Sequence, residues 1–341
     1  MSPTSYQLLH PALYFQFKTV KERCCVVFKL VCKDIFRFFA MQIYFKKKSM
    51  AHKAGFVSII GKPNVGKSTL MNALIGEKLS IITPKAQTTR HRILGIVNEE
   101  DYQIVFSDTP GIIKPRYGLQ DSMMSSVSGA LSDADLLLFV TDINEEHDEN
   151  DVLEKILNTT IPMIVLINKI DNATQELVEE KMAYWQELLK PKHIFAISAL
   201  HKYNLDGIMQ MVLDFLPEHA PFYDKEDLTD RTQRFFVSEI IREKIFNNYQ
   251  KEIPYSTEVI IKAYKEEENL TKISAEIVVE RDSQKNILIG KGGAMLKKVG
   301  TEARKDIEKF LDQKVFLETF VKVIPDWRSK KNYLKSFGYE N

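Results

Sequence analysis

At 341 residues the chain is longer than one average domain and suits two. With 44% hydrophobic and 27% charged residues it has the composition of an ordinary globular protein, which excludes disordered and collagen-like classes. The net charge of +1 is unevenly spread: nine Lys/Arg face two acids in residues 1–49 and fourteen face eight in 281–341, so a polyanionic partner would be met by the ends and not by the acidic middle.

Residues 1–49 form an atypical N-terminal extension, basic and rich in Phe and Tyr (Phe15, Phe17, Phe28, Phe36, Phe38, Phe39, Tyr44, Phe45). All three cysteines, Cys24, Cys25 and Cys32, lie here. An odd, crowded set is no disulfide framework, so a reducing interior compartment is expected. A membrane-spanning helix over Cys24–Phe45 is interrupted by Lys29, Lys33, Asp34 and Arg37. A basic membrane-surface segment fits better, and a cleavable targeting peptide is a further alternative. The preferred reading is an extension outside the fold, with Met50 an alternative start, because AHKAGFVSIIG opens a strand at once.

A first domain is expected over 52–218. The run Phe56–Ile60 reads as a strand. It leads into Gly61-Lys62-Pro63-Asn64-Val65-Gly66-Lys67-Ser68 and then Thr69, with Leu70, Met71, Ala73 and Leu74 at helical spacing. Strand, G-x-x-x-x-G-K-[ST] loop and helix form a phosphate cradle of backbone N–H groups at a helix N-terminus. Lys67 is expected on the β- and γ-phosphates and Ser68 on Mg²⁺. The next loop, SIITPKAQTTRHRILGI, offers Thr88 and Thr89 to close on Mg²⁺ and the γ-phosphate; Thr89, directly before Arg90-His91-Arg92, is preferred. The strand Tyr102–Phe106 ends in Asp108-Thr109-Pro110-Gly111, placing Asp108 in the Mg²⁺ shell and the Gly111 N–H on the γ-phosphate. Asp108 alone would read as a turn cap.

The apolar runs Leu136–Val140 and Met163–Ile167 read as central strands of a parallel sheet. The second runs into Asn168-Lys169-Ile170-Asp171, whose Asp171 carboxylate can take the guanine N1–H and 2-amino group. His193–Ile197 leads to Ser198-Ala199-Leu200, whose backbone reaches the guanine O6. Each motif alone has a bland alternative, a loop or a helix start. All occur in one order at strand C-terminal ends, where open α/β sheets bind ligands. The set resembles the translation-factor-like class of GTPases, with GTP or GDP and Mg²⁺ as cofactors.

Residues 219–231 are polar, contain Pro221 and read as a linker. The second domain, 232–337, opens with helical spacing over Thr232–Asn247 and continues with alternating Val259, Ile261, Ala263 and Ile273, Ala275, Ile277. Ile289-Gly290-Lys291-Gly292-Gly293 then sits between two helices, the second striped by Leu296, Val299, Ala303, Ile307 and Phe310, before a last strand Val315–Val323. Small glycines at this spacing let a phosphodiester backbone pass, with Lys291, Lys297 and Lys298 adding charge. The pattern resembles a type II KH domain, which implies binding of single-stranded RNA. Lys322, Arg328, Lys330 and Lys331 read either as further phosphate contacts or as a solvated end.

The motifs GKPNVGKST, KAQTTRHRILGI and ILIGKGGAMLKKVGTEARKDIE together resemble the Era family over about residues 52–337. The fold class implied is α/β: a P-loop GTPase domain with a mostly parallel sheet flanked by helices, then an α+β type II KH domain. The resemblance implies a monomeric GTPase of small ribosomal subunit assembly. It implies binding of single-stranded small-subunit rRNA near its 3′ end by the GTP-bound form. It also implies a cytoplasmic location with peripheral membrane contact.

Ile112 stands where Ras-like proteins carry a water-orienting glutamine, so turnover is expected to be slow. Some relatives with a hydrophobic residue there hold K⁺ with an Asn of the phosphate loop, and Asn64 is in that place. Two other readings stay open: an RNA-binding assembly chaperone with a vestigial GTPase, and a membrane-anchored signalling GTPase.

Overall fold

Six strands of the computed structural model form one sheet in the order β2-β3-β1-β4-β5-β6. The structure describes residues 52–145, 156 and 159–339. The chain divides into a unit 1–51, outside the described residues together with the membrane and targeting readings made for it, and the unit His52–Asn341. Strand β1 (Lys53–Ile60) lies between β3 (Tyr102–Asp108) and β4 (Leu136–Asp142), parallel to both. Strands β5 (Met163–Asn168) and β6 (His193–Ala196) extend the parallel sheet, and β2 (Ile93–Asn98) is antiparallel on the other edge.

Parallel pairing needs crossovers. The helices α1 (Lys67–Ile75), α2 (Gly118–Ser132) and α3 (Gln175–Leu189) lie between strands of this sheet, and α4 (Asp206–Phe215) follows β6. Covered on both faces, β4 and β5 are unbroken apolar runs whose residues Leu136–Val140 and Met163–Ile167 are all buried. Each such side chain stabilises the fold by about 1.5–3 kcal/mol. The sequence order reverses around β1, so the loops after β1 and β3 meet at one crevice.

Strand β2 would be an exposed edge, but residues 222–231 are fastened along it. Ile96 N–H donates to Leu228 O (2.9 Å), Thr229 Oγ1 to Leu94 O (2.6 Å) and Arg231 to Arg92 O (2.6 Å). Gln103 Oε1 accepts from the N–H of Phe222 and Tyr223. The stretch read as a linker therefore also seals the sheet edge.

The smaller sheet has the order β7-β8-β9. Strands β7 (Glu258–Glu267) and β8 (Leu270–Val279) pair antiparallel through a tight turn; β9 (Val315–Val323) runs parallel to β8. Helices α5 (Gln233–Asn248), α6 (Ile253–Ser256), α7 (Asp282–Ile289) and α8 (Ala294–Leu311) accompany it. Val299, Ala303 and Ile307 of α8 are fully buried against Val237, Ile241 and Ile245 of α5 and against Ile273, Ala275 and Ile277 of β8. Phe310, expected on that stripe, is 38% exposed and rests against the Phe236 ring at 5.5 Å. It sits at the end of α8, where the sheet no longer covers the helix.

The chain ends in α9 (Lys331–Ser336), which returns to α2 of the larger sheet. Ile324, Trp327, Leu334 and Tyr339 bury themselves with Leu119, Met123 and Val278.

Candidate functional site

The phosphate loop leaves β1 at Gly61 and enters α1 at Lys67. Gly66 has φ 101°, and a Cβ there would lie 2.2 Å from Asn168 Nδ2, so only glycine fits. Lys67 Nζ donates to Gly61 O (3.2 Å) and Lys62 O (2.8 Å), curling over the loop. Burial lowers its pKa to about 8, opposed by the charges of Asp108 and Glu145. Asn64, Val65, Gly66, Ser68 and Thr69 surround the same cradle, and most of them line a cavity of about 500 Å³ with Thr83, Gln87, Thr88, Thr89, Gly111 and Lys169.

Ser68 Oγ donates to Asp108 Oδ2 at 2.6 Å and lies 2.9 Å from Thr89 Oγ1. These three oxygens converge from three elements. The Asp108 carboxylate is fully buried, and among the described residues its Oδ1 has no partner within hydrogen-bond geometry, with the Ser80 hydroxyl close enough to lower its pKa. Burial raises its pKa, against the Ser68 bond and the Lys67 charge. A hard, oxygen-loving Mg²⁺ fits this donor set and supplies the missing charge. Thr88 is used otherwise: its hydroxyl bonds to Thr83 Oγ1 (2.6 Å) and Lys85 O (2.7 Å), which leaves Thr89 as the threonine facing Ser68.

The loop after β3 is strapped beneath the phosphate loop. Thr109 Oγ1 donates to Ile59 O (2.8 Å), and Ile112 N–H to Gly61 O (3.1 Å). A Cβ on Gly111 would meet Pro63 at 2.7 Å, so the two loops touch at backbone distance. The Ile112 side chain packs into the apolar cluster under the sheet, away from any role in placing water.

At the far end of the crevice Asn168 uses both ends of its amide on the protein. Nδ2 donates to Val65 O (2.8 Å), and Oδ1 accepts from Ala199 N–H (2.9 Å). It is a strut between the phosphate loop and the Ser198-Ala199-Leu200 loop. Asp171 is exposed, and Ser198 Oγ donates to its Oδ1 at 2.6 Å, holding the carboxyl below its usual pKa. The second oxygen, Oδ2, accepts from Asn172 Nδ2 at 2.9 Å, so both carboxylate oxygens are held in place. Lys169 is in the left-handed region (φ 66°) and paired with Asp142 at 2.6 Å, which stretches its stem along one wall. Leu200 is 72% exposed opposite.

In the second body, α7 ends at Gly290 (φ 73°). The turn Lys291–Gly293 follows, with Gly292 and Gly293 also at positive φ, and α8 begins at Ala294. Lys291, Lys297 and Lys298 are exposed and Ile289 half-buried, as a loop that clamps a phosphodiester requires. Lys298 lies 3.9 Å from Glu302. Ile287, 50% exposed one turn before the glycines, adds an apolar surface for a base that the sequence pattern passed over. Arg328 is not available for phosphate: it pairs with Glu280 at 2.5 Å and covers the Tyr117 ring at 4.7 Å. Lys322 is drawn to Glu276 at 3.5 Å.

The residues that join the two bodies were not singled out from the sequence. Arg242 of α5 is fully buried. It bonds Glu239 and donates to Thr88 O at 2.6 Å, next to Thr89. Burial works against its charge, and Glu239 more than offsets this. Arg90 donates to Thr257 O, Pro254 O and Glu258 Oε2, and the Tyr339 hydroxyl donates to the same Glu258 carboxylate. Lys85 reaches Phe246 O and Tyr249 O, and Lys78 pairs with Glu243 at 2.9 Å. His91 stacks on Tyr339 at 4.3 Å. Signals were present only as charged residues on an otherwise apolar helix face.

A phosphate loop, a magnesium-ready oxygen triad and an acidic base slot at one sheet crevice, followed by a glycine loop between two helices, define a guanine-nucleotide-binding protein with an RNA-binding KH module. Residues 56–169 match a family model described as a 50S ribosome-binding GTPase, and 252–328 match the KH domain model. GTPase Era of Staphylococcus epidermidis is 44% identical over 291 residues, 84% of this chain and 97% of that protein; GTPase Era of Staphylococcus haemolyticus matches equally. The chain belongs to the Era family of GTPases. Two solved Era structures, each 40% identical with a TM-score of 0.80, cover 85% of this chain and 100% of their own. One is Era with MgGDPNP and nucleotides 1506–1542 of 16S ribosomal RNA; the other is a point variant of Aquifex aeolicus Era bound to GDP and AlF4⁻.

Proposed function

We propose that the protein is a slow GTP-hydrolysing switch that grips single-stranded RNA near the 3′ end of small-subunit rRNA during small ribosomal subunit assembly. The observation that carries this reading is the hydrogen bond from Arg242 of the KH helix α5 to Thr88 O, one residue before the threonine that faces Ser68. A loop that responds to the γ-phosphate is thereby bonded to the RNA-binding body. The choice of the small subunit rests on the Era complex with 16S rRNA, which spans both domains, whereas the model naming the 50S particle covers only 56–169.

Binding is expected to seat the phosphates on the backbone N–H groups from Asn64 to Thr69, with Lys67 on the β- and γ-oxygens. Ser68, Thr89 and Asp108 would hold Mg²⁺, which would supply charge neutralisation for the phosphates. The Gly111 N–H is placed for the γ-phosphoryl. Asp171 reads the guanine edge, and Asn168 keeps the slot open. After hydrolysis Thr89 loses its partner and the loop carrying Thr88 and Arg90 is free to shift relative to α5.

Asn64, in the left-handed region (φ 65°), donates to Pro84 O at 3.2 Å and presents its other amide atom beside the phosphate cradle. This supports K⁺ assistance, tested by single-turnover hydrolysis in K⁺ and Na⁺ with and without Asn64→Ala. Equal rates in all four would end that reading. The working form is taken to be a monomer in the cytoplasm, as the resemblance to the Era family implies. No described helix is long and apolar enough to cross a membrane. Peripheral membrane contact is assigned to residues 1–49; vesicle sedimentation of chains starting at Met1 and at Met50 tests it, and equal pelleting would reject it.

The central experiment measures affinity for a 3′-terminal 16S rRNA fragment with a non-hydrolysable GTP analogue and with GDP. Tighter binding with the analogue is expected; equal affinities would refute the switch.

A further inference from the structure

We propose that Gln87 supplies the catalytic carboxamide that position 112 lacks, donating from Nε2 to the γ-phosphoryl group in the transition state. Ile112 is turned into the apolar cluster, so the hydrolytic site needs a polar group from elsewhere. Gln87 lines the nucleotide cavity together with Lys67, Ser68, Thr89 and Gly111. Its backbone is held in the left-handed region at φ 59°, a conformation that costs a non-glycine residue free energy and persists where the surroundings impose it.

The orientation of the amide follows from a chain of hydrogen bonds. Arg116 N–H donates to Gln120 Oε1 at 2.8 Å, and a backbone N–H can only donate. This fixes the buried Gln120 amide with its Nε2 outward, and that Nε2 donates to Gln87 Oε1 at 3.2 Å. The Tyr117 hydroxyl approaches the same oxygen at 3.5 Å. Gln87 Oε1 is therefore the anchored end. Nε2, with no hydrogen bond to the described residues, is the end left to donate. A donor anchored before the reaction in the wall of the nucleotide cavity is the arrangement that stabilises charge developing in a transition state without reorganisation. The anchors Tyr117 and Gln120 stand at the start of α2, directly after the Asp108–Gly111 loop, so Gln87 is correctly placed only when both loops are in position.

The role differs from that of the glutamine of Ras-like proteins, which orients the water. Here the side chain approaches from the loop of Thr88 and Thr89 and acts on phosphoryl charge.

The test is single-turnover GTP hydrolysis by the full chain with Mg²⁺, run in both K⁺ and Na⁺ buffers, on Gln87→Ala, Gln87→Glu and Gln120→Leu. Gln87→Ala is expected to slow the chemical step about 10- to 100-fold while affinity for GDP and for a non-hydrolysable GTP analogue stays within about threefold. Affinity for GDP with aluminium fluoride should fall by the same factor as the rate. Gln87→Glu should be at least as slow, because a carboxylate repels the γ-phosphoryl charge. Gln120→Leu should show a smaller loss in the same pattern. A wild-type rate for Gln87→Ala overturns the proposal. So does an equal loss of analogue affinity and rate, which would make Gln87 a loop-folding residue only.

Discussion

Replacing Arg242 separates stability from signalling. Arg242→Met keeps the volume and the contact with the Phe246 ring, which the guanidinium covers at 5.3 Å. It leaves Glu239 buried without its partner, a loss of about 3–5 kcal/mol in stability. Replacing Glu239 by Leu as well removes the orphaned charge, and the double variant should regain most of that stability. The bond to Thr88 O, at 2.6 Å from a charged donor, is still missing. Such a bond contributes about 1.5–3 kcal/mol. If it forms mainly in the GTP state, its loss lowers the ratio of RNA affinities between the analogue and GDP forms by about 10- to 100-fold, at 1.36 kcal/mol per factor of ten. The assay is RNA titration in both nucleotide states, with thermal unfolding of both single variants and the double. A double variant that is stable yet keeps the full affinity ratio would refute the wiring.

Asp171→Asn exchanges an acceptor pair for an amide that cannot take both guanine hydrogens; GDP affinity should fall about 30-fold or more while xanthosine diphosphate affinity rises, read by fluorescent-nucleotide displacement. Lys291→Ala should weaken RNA binding evenly across sequences and reduce the salt slope by about 0.7, measured from about 50 to 300 mM salt; an unchanged slope would place Lys291 off the phosphates. Tyr339→Phe keeps the stack on His91 but removes the bond to buried Glu258, so unfolding should come about 3–6 °C lower, and Tyr339→Leu lower still.

The nucleotide motifs were legible in the sequence because each is local: the chemistry of a phosphate or a base edge is met by neighbouring residues at a strand end. The strand Val315–Val323 was read with its observed bounds, but its sequence does not alternate, so the exposed Phe316 and Phe320 on its open face were not foreseen. The docking of residues 222–231 on β2 was not legible, since side chains such as Thr229, Arg231 and Gln103 reach backbone groups more than a hundred residues away in sequence. Asn168 was read as part of the nucleotide motif, but its role as a strut was not, since its partners Val65 O and Ala199 N lie 103 and 31 residues away. Arg90, Arg242, Glu258 and Tyr339 were missed for the same reason. A buried ion pair looks like two surface charges until the fold brings them together. Gln87 looked like one more polar residue of a mobile loop; only its backbone angle and its bond to Gln120 mark it out.

The KH body is attached to the nucleotide domain at two places, not one. Arg242 and Lys85 tie α5 to the loop of Thr88 and Thr89. Separately, Arg328 on Tyr117 and Leu334 against Leu119 tie the chain's last turns to α2, which follows the Asp108–Gly111 loop. A body yoked to both loops responds to their conjunction. With both loops held by the same body, a shift of either one is expected to bear on the RNA-binding groove, and the two together more than either alone.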